Sequence, residues 1–260
     1  MAAPTVNMLW IGDGLGRIEL LSIASWLAHG HAVRLHAYQP VANVPREVDL
    51  VDGGRCVPFA DIKRLRHSKT GSYALASDYF RYRLQLVSGG LWSDLDIVCL
   101  KPVTIEGTCL FGLEDETTIN GAVLYLDAGL PVTVELAGLF RNNYFPPWTR
   151  LNRARKARFR RLLGLPVRPA DLPWGTFGPN ALTALARKHG LFERALPRHV
   201  FYPLHFGKAR SVYDPTFSLD AVLREDTLTL HLWNEMLRDL KHGPPPPGSP
   251  LAKLFAEFGI

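Results

Sequence analysis

The chain has 260 residues, 47% of them hydrophobic and 21% charged, with a net charge of +6 at pH 7. That length and balance suit one large or two small folded domains and exclude a disordered or fibrous protein. No apolar run reaches the roughly 18–20 residues of a membrane span, the N-terminus lacks a signal-peptide pattern, and three cysteines without a C-x-x-C pair (Cys56, Cys99 and Cys109) fit a reducing compartment.

In chain order, residues 6–11 form an apolar run ended by Gly12, Gly14 and Gly16, which predicts a strand and a tight turn. Residues 19–27 predict a helix with Leu20, Leu21, Ala24 and Leu27 on one face, stopped at Gly30. Residues 32–38 alternate as a second strand, and 48–51 make a short third one. This strand–helix–strand opening predicts an α/β protein with a mainly parallel sheet. A long helix is predicted over residues 73–87, closed by Gly89-Gly90. Residues 91–100 carry Asp94-Leu95-Asp96 and then the apolar run Ile97-Val98-Cys99-Leu100. Strands are predicted over 109–113 and 122–126, and helices over 132–143, 151–163 and 179–189, the last with Pro179 in its first turn. Residues 228–233 read as a late strand, and the four prolines at 244–247 as a stiff linker. Ser249 then caps a short helix, with Leu251, Leu254, Phe255 and Phe258 on one face.

The charge is concentrated in one place. Arg150, Arg153, Arg155, Lys156, Arg158, Arg160, Arg161 and Arg168 lie in a stretch without an acid, and subtracting those eight charges from +6 leaves −2 for the rest. Such a run is a solvated helix face, an acceptor loop, a contact for anionic lipid, or a nucleic-acid-binding module over residues 150–168. Interleaved stacking aromatics are lacking there, which argues against nucleic acid.

Four features could carry chemistry. The turn Gly12-Asp13-Gly14-Leu15-Gly16 misses the G-x-G-x-x-G spacing, because residue 17 is Arg, and the second strand ends in Tyr38-Gln39 rather than an acid. A tight strand-to-helix turn therefore outranks a dinucleotide site and an oxidoreductase. Asp94-x-Asp96 places two carboxylates two residues apart at a strand edge, where they point to the same side. Such oxygens suit Mg²⁺ or Mn²⁺ at a phosphate site, or simply a polar loop. Asp78 and Arg81 share a helix face at i, i+3, either as a surface ion pair or as a carboxylate and guanidinium at a cleft. His231 and Trp233 alternate onto one strand face before Asn234, where the imidazole is a structural group or a metal ligand.

Taken together, these pieces resemble a known family. The run from Ala76-Ser77-Asp78-Tyr79-Phe80-Arg81 through Gly89-Gly90-Leu91-Trp92-Ser93-Asp94-Leu95-Asp96 resembles the signature of DXD-motif glycosyltransferases, especially glycosyltransferase family 32 and the α1,4-galactosyl/N-acetylglucosaminyltransferases. Leu9-Trp10-Ile11-Gly12, Gly30-His31, Asn120-Gly121, Gly178-Pro179-Asn180-Ala181-Leu182-Thr183 and His231-Leu232-Trp233-Asn234 resemble further motifs of that family in the same order. The resemblance implies a GT-A fold: a Rossmann-like α/β domain over residues 1–243, with a donor half to about 127 and an acceptor half after it. Residues 244–260 would be a linker and an amphipathic helix. It also implies a UDP-sugar donor, Mn²⁺ or Mg²⁺, and transfer of a hexose (galactose, glucose or N-acetylglucosamine) with retention to a glycan or glycolipid acceptor. By the same resemblance Asp96 and His231 would bind the metal, and Asp94 the donor and, through water, the metal. Trp233 and Asn234 would flank the diphosphate, Asp78 and Arg81 would hold donor-sugar oxygens, Trp10 would line the uracil pocket, and Asn120 would line the reaction centre. Lys208 is a further candidate cation. Without the N-terminal anchor of membrane-bound relatives, the chain reads as a bacterial cytoplasmic enzyme of lipopolysaccharide, capsule or other surface-glycan synthesis. Its basic segment would lie against the inner membrane face, and its tail helix would either insert there or dock on the body.

Overall fold

The structure is a computed structural model that describes residues 3–67, 70–149, 155 and 159–260. A six-stranded sheet runs in the order β3-β2-β1-β4-β7-β6. It comprises β1 (Val6–Trp10), β2 (Val33–Ala37), β3 (Asp49–Asp52), β4 (Leu91–Ser93), β6 (Cys109–Leu113) and β7 (Ile119–Leu126). β1 pairs in parallel with β2 and β4, and β2 with β3, while β7 runs antiparallel to β4 and β6. A separate antiparallel pair joins β5 (Ile97–Cys99) to β8 (Thr229–His231). The fold is thus the mixed, mainly parallel α/β arrangement expected, with helices on both faces of the sheet. Among the described residues no helix is long and apolar enough to cross a membrane.

One face of the sheet is covered by α2 (Phe59–Arg64), α3 (Ala74–Val87), α4 (Pro131–Ala137) and α5 (Pro179–Lys188), whose Phe80, Leu136 and Leu182 pack with Trp92 and Leu124 of the strands. The other face is covered by α1 (Arg17–Ala28), where Trp26 and Ile23 meet Met8, Leu35 and Leu91. Leu91 and Trp92 enter opposite layers because successive strand residues alternate across a sheet. α3 ends at Gly89 and Gly90, both at positive φ, and a Cβ on Gly90 would lie 2.7 Å from Asn7 Nδ2. Only glycine lets the chain turn this tightly and start β4 beside β1.

Several expectations shift. The buried face of α1 is Ile18, Glu19, Leu21, Ser22, Ile23, Ser25 and Trp26, whereas Leu20, Ala24 and Leu27 are half-buried. The cause is that α1 is packed on two sides, against the sheet and against β5, so a single apolar stripe does not describe it. Ser22 Oγ donates to Ile97 O at 2.7 Å, and Ser25 Oγ accepts from Cys99 N at 2.8 Å, so this helix pairs the open edge of β5. α4 stops at Ala137, before Gly138, rather than running to residue 143. α2 was not anticipated; it starts behind Pro58 and is only six residues long. The expected helix over 151–163 lies largely outside the described residues, as do Arg150, Arg153, Lys156 and Arg158.

The tail helix, called α7 here after the short helix α6 (Arg198–Phe201), spans Pro250–Glu257. Ser249 caps it and accepts from Ala252 N, as predicted. Its Leu251, Leu254 and Phe255 are buried against Ile18, Leu21, Leu204 and Val212, and the Arg17 guanidinium lies 4.1 Å from the Phe255 ring centre. Of the two expected arrangements, the apolar face therefore takes docking on the body rather than insertion into lipid.

Candidate active site

β1 has β2 on one side and β4 on the other, so the chain reverses its winding direction between β1 and β4. In open α/β sheets such a switch point leaves a crevice outside the carboxyl ends of the strands. Here the two strands end at Trp10 and at Ser93, directly before Asp94-Leu95-Asp96. A cleft of about 470 Å³ opens at this place, lined in part by Trp10, Ser77, Asp94, Asp96 and Asn234.

The two aspartates sit in the turn between β4 and β5 rather than on a strand edge, so strand alternation does not set their directions. Asp94 faces inward. Arg81 Nη2 lies 3.1 Å from its Oδ1, which also accepts from the Trp92 indole N–H at 2.8 Å. Asp96 turns toward the C-terminal segment, where its Oδ2 accepts from Asn234 N at 2.9 Å and lies 3.2 Å from His231 Nε2. The β5–β8 register places His231 opposite Ile97, which brings the imidazole alongside Asp96. Burial pushes the Asp94 carboxyl up, against the pull of Arg81. Burial would also raise Asp96, but His231 and the Asn234 N–H outweigh it and hold this carboxyl below its ordinary value.

Arg81 is buried, and its guanidinium is shared among Gly121 O at 2.5 Å, Ser77, Asp94, and Asp78 at 3.4 Å. It stands behind the cleft wall and ties α3 to β7 and to the aspartate turn. Asp78 packs against the backbone of Gly178, where a Cβ would lie 2.6 Å from Oδ2. This contact joins two motifs that are 100 residues apart, and a glycine at 178 is what permits it. Burial pushes the Asp78 carboxyl up to about 6, with Arg81 opposing. Asn120 is buried with both ends of its amide engaged: Nδ2 donates to Glu114 at 2.7 Å and Oδ1 accepts from Ala122 N at 2.7 Å. Ala122 O in turn accepts from Asp94 N at 2.8 Å, so Asn120 shapes the strand that holds Asp94.

Trp233 adopts a left-handed backbone at φ 55° and stacks on His231 with ring centres 3.8 Å apart. Its indole N–H donates to Leu204 O at 2.8 Å. A non-glycine residue at positive φ is unusual, and here it swings Asn234 back to the cleft. Asn234 Nδ2 donates to Glu19 at 3.0 Å, while its buried Oδ1 has no hydrogen-bond partner. The Trp10 Nε1 and His231 Nδ1 atoms are likewise buried and unpartnered.

Three cleft or near-cleft groups escaped the sequence reading. Glu19 is buried in the first turn of α1, lines the cleft, and would strike a Cβ on Gly16 at 2.5 Å. A carboxylate thus already occupies the helix end where a dinucleotide pyrophosphate would sit, which removes the physical basis for that reading of the glycine turn. Lys241, rather than Lys208, is the cation that lines the cleft. Glu114 lies behind Asn120, and burial pushes its carboxyl up. No local signal marks Glu19 or Lys241, because segments distant in sequence place them at the cleft, whereas Glu114 meets Asn120 only six residues away across the β6–β7 hairpin.

The oxygens of Asp94, Asp96 and Asn234 are hard donors of the kind that Mg²⁺ or Mn²⁺ takes, and the unpartnered Asn234 Oδ1 is an acceptor that such an ion would satisfy. As arranged, His231 rests on Asp96, and among the described residues no three His, Cys, Asp or Glu side chains converge as metal ligands.

No family model matches the chain, and no curated protein matches it. Among solved structures it is similar to PaToxG glycosyltransferase, at 15% sequence identity over 72% of this chain and 70% of that one, with a TM-score of 0.46.

Proposed function

We propose that the chain is a metal-dependent retaining glycosyltransferase that moves a hexose from a UDP-sugar to a glycan or lipid-linked acceptor in bacterial surface-glycan synthesis, working in the cytoplasm. The observation that carries this reading is the switch-point cleft itself: an indole at one strand end and two differently tuned carboxylates at the other. The Trp10 ring offers a flat apolar wall for a nucleobase. Asp96, held ionised, and the Oδ1 of Asn234 would hold Mn²⁺ or Mg²⁺, with Asp94 beside them. Such an ion supplies neutralisation of the charge that develops on the departing diphosphate.

The remaining work falls to the chain. Lys241 adds a positive charge at the cleft for the diphosphate. Arg81 holds the Asp94 carboxylate in place and keeps its negative charge compensated inside the protein. His231 and the Asn234 N–H hold Asp96 in one orientation, which limits reorganisation when the donor binds. Retention then follows a front-face displacement in which the leaving phosphate oxygen takes the acceptor proton. The paired-carboxylate mechanism of glycosidases does not apply, because Asp94 and Asp96 serve the diphosphate side rather than an acid and a nucleophile.

The test is UDP-sugar hydrolysis and UDP-induced thermal stabilisation with and without Mn²⁺. Wild type gains stability with UDP and Mn²⁺ together. Asp96→Ala loses that gain and its hydrolysis falls at least ~100-fold, as for loss of a charge-stabilising group, while the variant still unfolds cooperatively, at a midpoint lowered only by the loss of the contacts to His231 and Asn234. Full activity in Asp96→Ala, or in excess chelator, overturns the reading.

A further inference from the structure

Ten large hydrophobic side chains are exposed among the described residues, and five of them (Phe159, Leu162, Leu163, Leu165 and Trp174) fall within 16 residues of sequence. Leu162 is 84% and Trp174 81% exposed. A concentration of this kind marks an interaction surface, whereas single exposed apolar residues need no explanation. These five lie in and directly after the acid-free basic stretch, with Arg155, Arg160 and Arg161 among them. Asp171 is the sole acid between residues 159 and 174, and it pairs with Arg168 at 3.3 Å.

The stretch stands on an anchored base. Asn143 N donates to Val167 O at 2.8 Å, and Val167 N donates to Asn143 Oδ1 at 3.0 Å. The Trp148 indole donates to Thr176 O at 2.7 Å. Val167 and Thr176, on either side of the exposed Trp174, are therefore fastened to residues 143–148, and the exposed Phe159, Leu162, Leu163 and Leu165 directly precede that anchored part.

We infer that this surface binds an anionic lipid bilayer. Aliphatic side chains and an indole beside several arginines, with the acid neutralised, match the interfacial zone of a membrane, where apolar groups enter the acyl boundary and guanidinium groups stay with phosphate. The docked tail helix contributes nothing to this surface, because its apolar face is already buried. The inference is independent of glycosyl transfer: it predicts binding whether or not a donor is hydrolysed.

Co-sedimentation of the full chain with vesicles tests it, using phosphatidylcholine alone and phosphatidylcholine mixed with phosphatidylglycerol. Wild type binds the mixed vesicles and not the neutral ones, and added salt weakens binding. Leu162→Ser/Leu163→Ser lowers the partition coefficient about tenfold or more, and Arg155→Gln/Arg161→Gln lowers it about thirty-fold. Trp174 emission shifts to the blue on mixed vesicles, a shift missing in Trp174→Phe. Unfolding midpoints equal to wild type show that the variants fold. Absence of binding to mixed vesicles, or binding unchanged in the double serine variant, overturns the proposal. So does self-association that buries Trp174 in solution, or duplex-DNA binding that persists in the double serine variant.

Discussion

Asp94 and Asp96 stand two residues apart, yet their surroundings push their carboxyls in opposite directions. The difference lies in partners contributed by remote segments, Arg81 on one side and His231 with Asn234 on the other. His36 shows the same principle away from the cleft. Its Nε2–H donates to Asn7 Oδ1 at 3.0 Å, its Nδ1 is buried without a partner, and burial lowers its pKa to about 4. The folded state therefore holds it neutral, while the unfolded chain protonates it near 6.5. Because the folded pKa is depressed, stability is fully present above pH 6.5 and is lost as the pH falls toward 4, by about 3 kcal/mol for this group. His36→Gln keeps a donor toward Asn7 and cannot titrate. Urea unfolding at a series of pH values is expected to show a shallower acid loss in this variant than in wild type. Identical pH profiles would remove His36 as the cause. None of this residue-level tuning was legible in the sequence, which displayed Asp94, Asp96 and His231 as candidates without their directions or partners.

At the level of elements, local pattern and tertiary contact divide the work. The positions of β1, β2, α3, β6, α5 and α7 follow from apolar period, glycine stops and a capping serine, all of which are local properties. The buried face of α1 does not follow from period, since two packing surfaces compete for it. Its polar residues are the informative ones. Ser25 accepts the Cys99 N–H inside the protein, so Ser25→Ala leaves a buried donor without a partner and costs about 1–3 kcal/mol. Chemical denaturation measures this loss. An unchanged midpoint would show that the edge of β5 finds another partner. Because β5 carries Asp96 at its entrance, the same variant is expected to weaken Mn²⁺-dependent UDP stabilisation as well.

Over the whole molecule, the C-terminal helix closes the structure. Leu254 sits in a cluster with Ile18, Leu21 and Leu204, so chain ends far apart in sequence share one apolar core. Leu254→Ala is expected to cost about 2–5 kcal/mol in global unfolding, read from the denaturant midpoint with an unchanged slope. A loss confined to local fraying, with the global midpoint intact, would mean that the helix is only loosely attached. Charge is also a whole-molecule property. The net +6 is carried by one stretch, so the body that holds the aspartates is slightly acidic. By itself the sequence determined the α/β class, the order of the motifs and part of the chemical inventory of the cleft, Trp10, Asp94, Asp96 and Asn234, because period, turn residues and side-chain chemistry are carried by neighbours along the chain. Only the tertiary structure decided which groups face one another. Glu19 meets Asn234 across 215 residues, Asp78 rests on Gly178, Lys241 reaches the cleft, and the tail helix is buried. The physical reason is that burial, hydrogen-bond partners and pKa shifts are set by contacts between distant segments, and these exist only once the chain has folded.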